Sequence, residues 1–231
     1  MLDTSELRIG PRPACVGSVP LVLCGMAVHL VDHPLVHDAL AELRDAAVPA
    51  MTFRRAARRI STLLVAEALR NVPFTPGTVT TPLGPAPARR VNGDIVFVPV
   101  LRAGLGMLDA ALDLVPKARV GHIGLQRDEA TAIASRYYSR LPQNLSDSYV
   151  VLLDPMLATG GSAVDGVDLI KAAGARTISM TCIVSAPEGV DLLQSRHPDV
   201  TVYTPVIDQE LNAHKFIVPG LGDFGDRLYG T

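Results

Sequence analysis

The pattern of apolar and polar positions divides the chain into two stretches of different texture. Between Pro34 and Asn71 apolar residues recur at helical spacing. Pro34–Ala47 carries Leu35, Ala39, Leu40 and Leu43 on one face, with Asp32 or His33 at the cap and Pro34 near the first turn, and predicts a helix. Thr52–Asn71, with Ile60, Leu63, Leu64 and Ala68 on one side, predicts a second. From Ile95 onward the texture changes to short unbroken apolar runs at Ile95–Leu101, Val120–Leu125, Tyr149–Leu153, Thr177–Val184 and Val200–Tyr203. Helical segments at Leu105–Leu114, Val164–Ala173 and Val190–Ser195 separate them. Continuous apolar strands alternating with helices predict an α/β fold, a mostly parallel central sheet flanked by helices on both faces. Two stretches fall outside that rhythm. Val79–Val91, rich in Thr, Pro and Gly, predicts a hairpin-like excursion, and Gln126–Asp147 is a polar connection of a length that is usually functional or mobile.

Composition narrows the function classes. The 231 residues suffice for one α/β domain, and 48% are hydrophobic. Only 4% are aromatic and there is no Trp, so a stacking platform for bases lacks material. The net charge of −2 supplies no basic field, which argues against a nucleic-acid partner. Cys15, Cys24 and Cys182 fit neither a zinc nor a disulfide pattern, and predict a reducing, cytoplasmic setting with Cys182 as a small buried hydrophobe. An apolar run, Val19–Val31, follows Arg8 and Arg12 and has the outline of a secretory signal. No small-x-small cleavage site stands clear of the domain, and His29 and Asp32-His33-Pro34 interrupt the run too early for a membrane span. Residues 1–25 are therefore read as a non-essential extension, and 26–231 as a single domain with no membrane partner. His29, His33, His37, His122, His197 and His214 lack metal spacing and are read as surface or capping residues, so no metal ligand is directly assigned. Arg54, Arg55, Arg58 and Arg59 read as a solvated helix face or part of a subunit contact.

The chemistry concentrates where strands end. "LLDPMLATGGSA" (Leu152–Ala163) runs from an apolar strand into Asp154, a short loop, the turn Ala158-Thr159-Gly160-Gly161-Ser162 and a helix. Ligands of parallel sheets gather outside the carboxyl ends of the strands. Glycines let backbone N–H groups approach an anion, and the helix N-terminus adds positive potential. Thr159 and Ser162 can donate to phosphate oxygens, and Asp154 can accept from vicinal hydroxyls. That combination fits a sugar phosphate. Thr-Gly-Gly alone would also suit an ordinary turn, and the string is no Walker loop, because no Lys-Ser/Thr pair follows the glycines. "VPVLRAGLGM" (Val98–Met107) puts Arg102 in a second glycine-spaced turn, and "GLQRDEAT" (Gly124–Thr131) puts Arg127 at the root of the long polar segment. Taken singly, Arg102 could be a structural ion-pair partner, and Arg127 part of a surface cluster with Asp128 and Glu129.

"VVLLDPMLATGGSA" resembles the 5-phosphoribosyl-1-diphosphate (PRPP) loop of type I phosphoribosyltransferases, in the variant of the uracil phosphoribosyltransferases. The usual acidic pair is here Asp154-Pro155 and the closing Thr is Ser162, as in that branch. One carboxylate, Asp154, is left at the loop for ribose hydroxyls or a Mg2+-linked network. The resemblance implies PRPP contacts from Asp154, Pro155, Met156, Leu157, Ala158, Thr159, Gly160, Gly161 and Ser162. It makes Arg102 and Arg127 ligands of the diphosphate, and the segment after Arg127 a mobile hood. The tail from Tyr203 to Thr231 is glycine-rich, and Gly220, Gly222 and Gly225 predict a tight ordered loop instead of a regular helix. Such a loop, rich in free backbone N–H and C=O groups, suits the carbonyls and N–H groups of uracil and disfavours cytosine. A tail merely packed across the sheet would read similarly. Here "IVPGLGDFGD" resembles the uracil-binding loop of the same family. That implies backbone contacts to the base from Ile217, Gly222 and Phe224, with Asp223 between base and PRPP. Phe224 replaces a smaller residue found in many members.

The resemblance covers Val28–Thr231. It implies transfer of phosphoribosyl from PRPP to uracil, giving UMP and diphosphate in pyrimidine salvage. Mg2+ would be carried mainly by PRPP, with GTP an allosteric activator in some members and a homo-oligomer of two or more copies. Arg102, Arg127, Asp154 and Asp223 are the catalytic candidates. Three other readings are an RNA-binding pyrimidine regulator, a purine phosphoribosyltransferase and an inert sugar-phosphate binder. The first needs a basic face, the second a purine-stacking aromatic and a different tail, and the third is disfavoured by intact Arg102, Asp154 and Asp223.

Overall fold

The computed structural model describes residues 28–127 and 134–231, and side chains outside 126–136. The chain enters through a short strand, β1 (Val28–Leu30), and continues into α1 (Pro34–Arg44) and α2 (Ala50–Ala68). His33 is the cap of α1, its ring nitrogen accepting the Leu35 N–H at 3.1 Å, while Asp32 pairs with His37 at 2.8 Å. The helix stops before the predicted Ala47 because Asp45 turns extended and its carboxylate takes the Ala47 N–H. An antiparallel hairpin follows, β2 (Phe74–Thr81) and β3 (Gly84–Val91), starting earlier than the Val79 expected from sequence. Both faces of this ribbon are largely exposed, so no alternation of apolar residues marks its first strand.

The buried strands come next. β4 (Asp94–Leu101) leads to α3 (Leu105–Leu114) and then to β5 (Arg119–Val120) and β6 (His122–Arg127). The polar segment returns as β7 (Ala134–Arg140), antiparallel to β6, where the sequence suggested only a long connection. β8 (Ser148–Leu153) and β9 (Met156–Leu157) precede α4 (Gly161–Ala172). β10 (Thr177–Thr181) stops short of the predicted Val184, and a separate β11 (Val184–Ser185) pairs with β9. α5 (Pro187–Arg196) starts at Pro187, whose fixed φ suits a first helical turn. β12 (Thr201–Thr204), β13 (Glu210–Leu211), β14 (Ile217–Val218) and α6 (Phe224–Tyr229) complete the chain.

The main sheet runs β1-β12-β10-β8-β4-β6-β7 with β5 also on β4, and among its described pairs only β6–β7 is antiparallel. Alternation along single strands builds two cores. Ile95, Phe97, Val151 and Leu153 face α1, α2, α3 and α6, whereas Val96, Val98, Val150 and Leu152 face α4 and α5. A strand buried on both sides must be apolar throughout, which is why these runs were legible. Cys182 lies fully buried, and burial pushes its thiol up to about 12, as its apolar surroundings predict.

Arg54, Arg55 and Arg58 are exposed, as a solvated helix face should be, and the run also ties helices together: Arg54 reaches the Leu228 carbonyl at 2.8 Å, Arg58 pairs with Asp113, and Arg59 holds Glu42 at 2.9 Å and Asp38. His197 meets the capping half of its expectation: it is the C-cap of α5, and it is buried, 3.3 Å from the Lys171 ammonium and 3.4 Å from Asp168. The tail contains a helix despite Gly225, because Asp223 caps α6 and tertiary packing buries Phe224 and Leu228 on one side. Among the described residues no helix is long and apolar enough to cross a membrane. Cys15, Cys24 and the proposed 1–25 extension lie outside the described residues.

Candidate active site

Three turns at the carboxyl ends of β4 and β8 and in the C-terminal tail surround one cavity of about 310 Å³. The first is the turn after β4. The Leu101–Arg102 peptide is cis, and Gly104 lets this turn sit against the end of β8; a Cβ there would press on the Val100 N and O at 2.7 Å and on the Leu153 carbonyl. Arg102 faces the cavity with its side chain 63% exposed, held only loosely by Asp226 at 3.7 Å. The Tyr229 hydroxyl donates to the Arg102 carbonyl at 3.4 Å; burial raises that phenol and the Arg102 charge opposes the rise.

The second turn follows β8. Asp154 leaves the strand buried, its backbone N–H bonded to Thr181 and its carboxylate accepting the Met156 N–H at 3.3 Å. Gly160 takes φ +84 as the residue before α4, and a Cβ on it would stand 2.8 Å from the Gly189 carbonyl of α5. The glycine is therefore required by both backbone conformation and close helix approach. Asp154, Met156, Ala158 and Ser162 line the cavity. Pro155 and Leu157 do not: the Pro155 carbonyl accepts from Ile183 and Val184, and Leu157 is buried in the core. Thr159, Gly160 and Gly161 form the turn just behind the lining, at the start of α4.

The third wall comes from the tail. Ile217, Gly222, Asp223 and Phe224 all line the cavity. Phe224 turns its ring into the core, 5.2 Å from Phe53 and edge-on, which leaves its backbone toward the cavity side. Asp223 Oδ1 accepts the Asp226 N–H at 2.8 Å as a helix cap. Arg227 hangs the loop on α1, bonding the Leu221 carbonyl at 2.7 Å, the Asp45 carbonyl at 2.6 Å and the Leu43 carbonyl, with its guanidinium 4.5 Å above the Phe53 ring.

His214, Lys215 and Phe216 also line the cavity, and sequence reading did not single them out for it. They sit on a turn in which Asn212 Oδ1 accepts both the His214 and Phe216 N–H groups, and Lys215 takes φ +64. An Asn between Leu211 and the apolar run Phe216–Val218 is the signal of such a turn, but only the fold brings it over the sheet edge. The cavity therefore gathers two cationic side chains, Arg102 and Lys215, and two carboxylates, Asp154 and Asp223. Arg127 is the last residue of β6, paired with Ala134, and its side chain is outside the described set, as are Asp128 and Glu129. Among the described residues no group of three acidic, His or Cys side chains forms a metal cage.

A profile of uracil phosphoribosyltransferases matches residues 30–231. The chain belongs to the uracil phosphoribosyltransferase family. Curated uracil phosphoribosyltransferases similar to it include one from Dictyoglomus turgidum, 48% identical over 205 residues that cover 88% of this chain and 99% of that protein. One from Rhodococcus opacus is 46% identical over 88% and 98% of the two chains. The solved structure of the AQ2163 protein from Aquifex aeolicus superposes with a TM-score of 0.84 at 36% identity, covering 88% of this chain and 98% of that one. An adenine phosphoribosyltransferase from Leishmania donovani shares the fold at TM-score 0.54 and 16% identity, covering 86% and 89%. The α/β phosphoribosyltransferase fold and the glycosyl-transferring class follow from these likenesses to the uracil phosphoribosyltransferase family.

Proposed function

We propose that the protein transfers the phosphoribosyl group of PRPP to the N1 atom of uracil, releasing diphosphate and forming UMP in pyrimidine salvage. The carrying observation is a single cavity lined at once by Ala158 and Ser162 of the glycine turn, by Asp154 and Arg102, and by Ile217, Gly222, Asp223 and Phe224 of the tail. In this reading the 5-phosphate sits at the N-terminus of α4, with Thr159, Ser162 and backbone N–H groups as donors. Asp154 accepts from the ribose hydroxyls. Arg102, exposed and weakly paired, swings to the diphosphate, and Arg127 joins it from the hood. Uracil lies against the backbone of Ile217, Gly222 and Phe224.

Displacement at the anomeric carbon passes through a state of oxocarbenium character. No protein nucleophile is required, and rate comes from positioning two substrates and neutralising the departing diphosphate. Asp223 is the candidate acceptor, directly or through a water, for the N1 proton. Mg2+ fits as an ion carried by the diphosphate, because Asp154 and Asp223 offer two carboxylates in one cavity without a closed cage; it would supply further neutralisation of the leaving group.

Family likeness extends the proposal to a homo-oligomer of two or more copies and to GTP as an activator. The exposed β2–β3 ribbon, with an apolar groove at its base lined by Phe74, Val91, Leu114 and Val115, supports the first. The buried reduced Cys182 fits a cytoplasmic location.

The test is product formation from PRPP with uracil, cytosine, adenine and hypoxanthine in parallel, with and without Mg2+ and GTP. Turnover confined to uracil is the expected result. Turnover of a purine would overturn the base assignment, and PRPP binding without turnover of any base would overturn the enzymatic one.

A further inference from the structure

Gly220 is where the tail reverses, and its conformation has to be held from outside. It takes φ +57, and a Cβ on it would collide with the Ile217 carbonyl oxygen, so the turn is as tight as a glycine permits. Its two backbone polar groups are both bonded to one ion pair. The N–H donates to Asp208 Oδ2 at 2.9 Å, and the carbonyl accepts from Arg44 Nη1 at 3.0 Å. Arg44 in turn grips Asp208 with both arms, Nη2 to Oδ1 at 2.6 Å and Nη1 to Oδ2 at 3.1 Å. Arg44 ends α1 and Asp208 lies in the segment between β12 and β13, so three parts of the chain meet on one glycine. The Asp208 carboxylate is 3% exposed and the guanidinium 25%.

A buried ion pair is a weak means of gaining stability, because desolvation consumes most of the attraction. This pair does something an apolar substitute could not: it fixes the position of a peptide unit two residues before Gly222. Neither side chain lines the cavity. We propose that the Arg44–Asp208 pair is a positioning device that sets the register of the base loop, and so controls the affinity for the pyrimidine base without touching either substrate. The inference rests on the reading of residues 217–224 as the uracil contact.

The test uses the full chain with Arg44→Ala, Arg44→Lys and Asp208→Asn, and with Arg59→Ala as a control that removes the α1–α2 ties to Asp38 and Glu42 and spares the loop. Uracil and PRPP are varied separately, and thermal unfolding is followed for each variant. Arg44→Ala is expected to raise the uracil KM at least tenfold while the PRPP KM changes less than twofold. Arg44→Lys should recover part of the loss, since it keeps the charge but not the fork. Asp208→Asn, which retains an acceptor for the Gly220 N–H, should fall between Arg44→Ala and the unsubstituted protein. Equal rises in both KM values, a fall in kcat that simply tracks lost folded protein, or the same uracil-selective change in Arg59→Ala would overturn the proposal. If Arg44→Ala does not fold, the two conservative variants carry the same comparison. Gly222→Ala separates the two readings, because that residue sits at φ +81 within the loop. A raised uracil KM there with none in the Arg44 and Asp208 variants sinks the positioning role alone. No change in Gly222→Ala sinks the base-loop reading, and the inference with it.

Discussion

The turn at 158–162 and the loop at 217–224 face one cavity, yet they are built in opposite ways. The first is contiguous: β8, Asp154, a glycine turn and α4 follow one another within a short stretch, with β11 and α5 packed against it. The second has no regular element long enough to support it, and hangs from Phe53 and Arg227 across to α1 and α2. The contrast matches what each must recognise. A phosphate is a compact charge that a helix N-terminus and a few N–H groups can bind in any protein. A pyrimidine edge demands donors and acceptors at fixed places, and fixed places in a glycine-rich loop require distant scaffolding.

The sharpest way to break the contrast is at the scaffold. Phe224→Ala removes a ring that is 1% exposed and packed on Phe53, and should destabilise the protein by about 3–5 kcal/mol in denaturant unfolding. If the loop were self-supporting, uracil KM would not change in the fraction that stays folded; a rise there is the expected outcome. Next in size, Arg102→Ala should lower kcat on the order of 100-fold, as loss of a charge-stabilising donor does elsewhere, with uracil KM little altered. A uracil KM effect larger than the kcat effect would place Arg102 on the base side of the cavity.

Gly160→Ala probes the local turn. Both its φ of +84 and the Gly189 carbonyl oppose a side chain, so a cost of about 1–3 kcal/mol and a raised PRPP KM are expected. An unchanged PRPP KM would remove this turn from the phosphate site. The smallest effect lies far from either loop. The Arg70 guanidinium, and secondarily His29, hold the Glu67 carboxyl below its usual range. A depressed carboxyl stabilises the fold above its unfolded pKa and loses that contribution as pH falls through the folded value. Unfolding midpoints should therefore decline below about pH 4, and Glu67→Gln should shallow that decline.

Much of the sheet was legible because its strands are covered on both sides. Ile95–Leu101 and Tyr149–Leu153 could not be polar anywhere and still be buried, so their limits fall within a residue of β4 and β8. Elements whose residues answer to distant partners were not legible in the same way. β2 and β7 carry no apolar alternation, and α6 forms around Gly225 because Phe224 meets Phe53 and Leu228 is buried. At the site, Asp154, Ser162, Gly222 and Asp223 were found in the sequence and line the cavity, while Pro155 and Leu157, picked from the same string, turn into the protein. A string of nine contiguous residues cannot all face a ligand when β9 within it pairs with β11.

By itself the sequence determined the buried strands of the main sheet with the helices between them, the glycine turn after Asp154 and the chemistry that turn can offer, because each depends on residues close together in the chain. The tertiary structure alone decided that Lys215 and Arg102 share a cavity, that Arg54, Arg58 and Arg59 bind helices to one another, and that Gly220 is gripped by Arg44 and Asp208. Those pairings join residues far apart in sequence, and no local periodicity records them: they exist only once packing of the two cores has fixed where each chain segment lies.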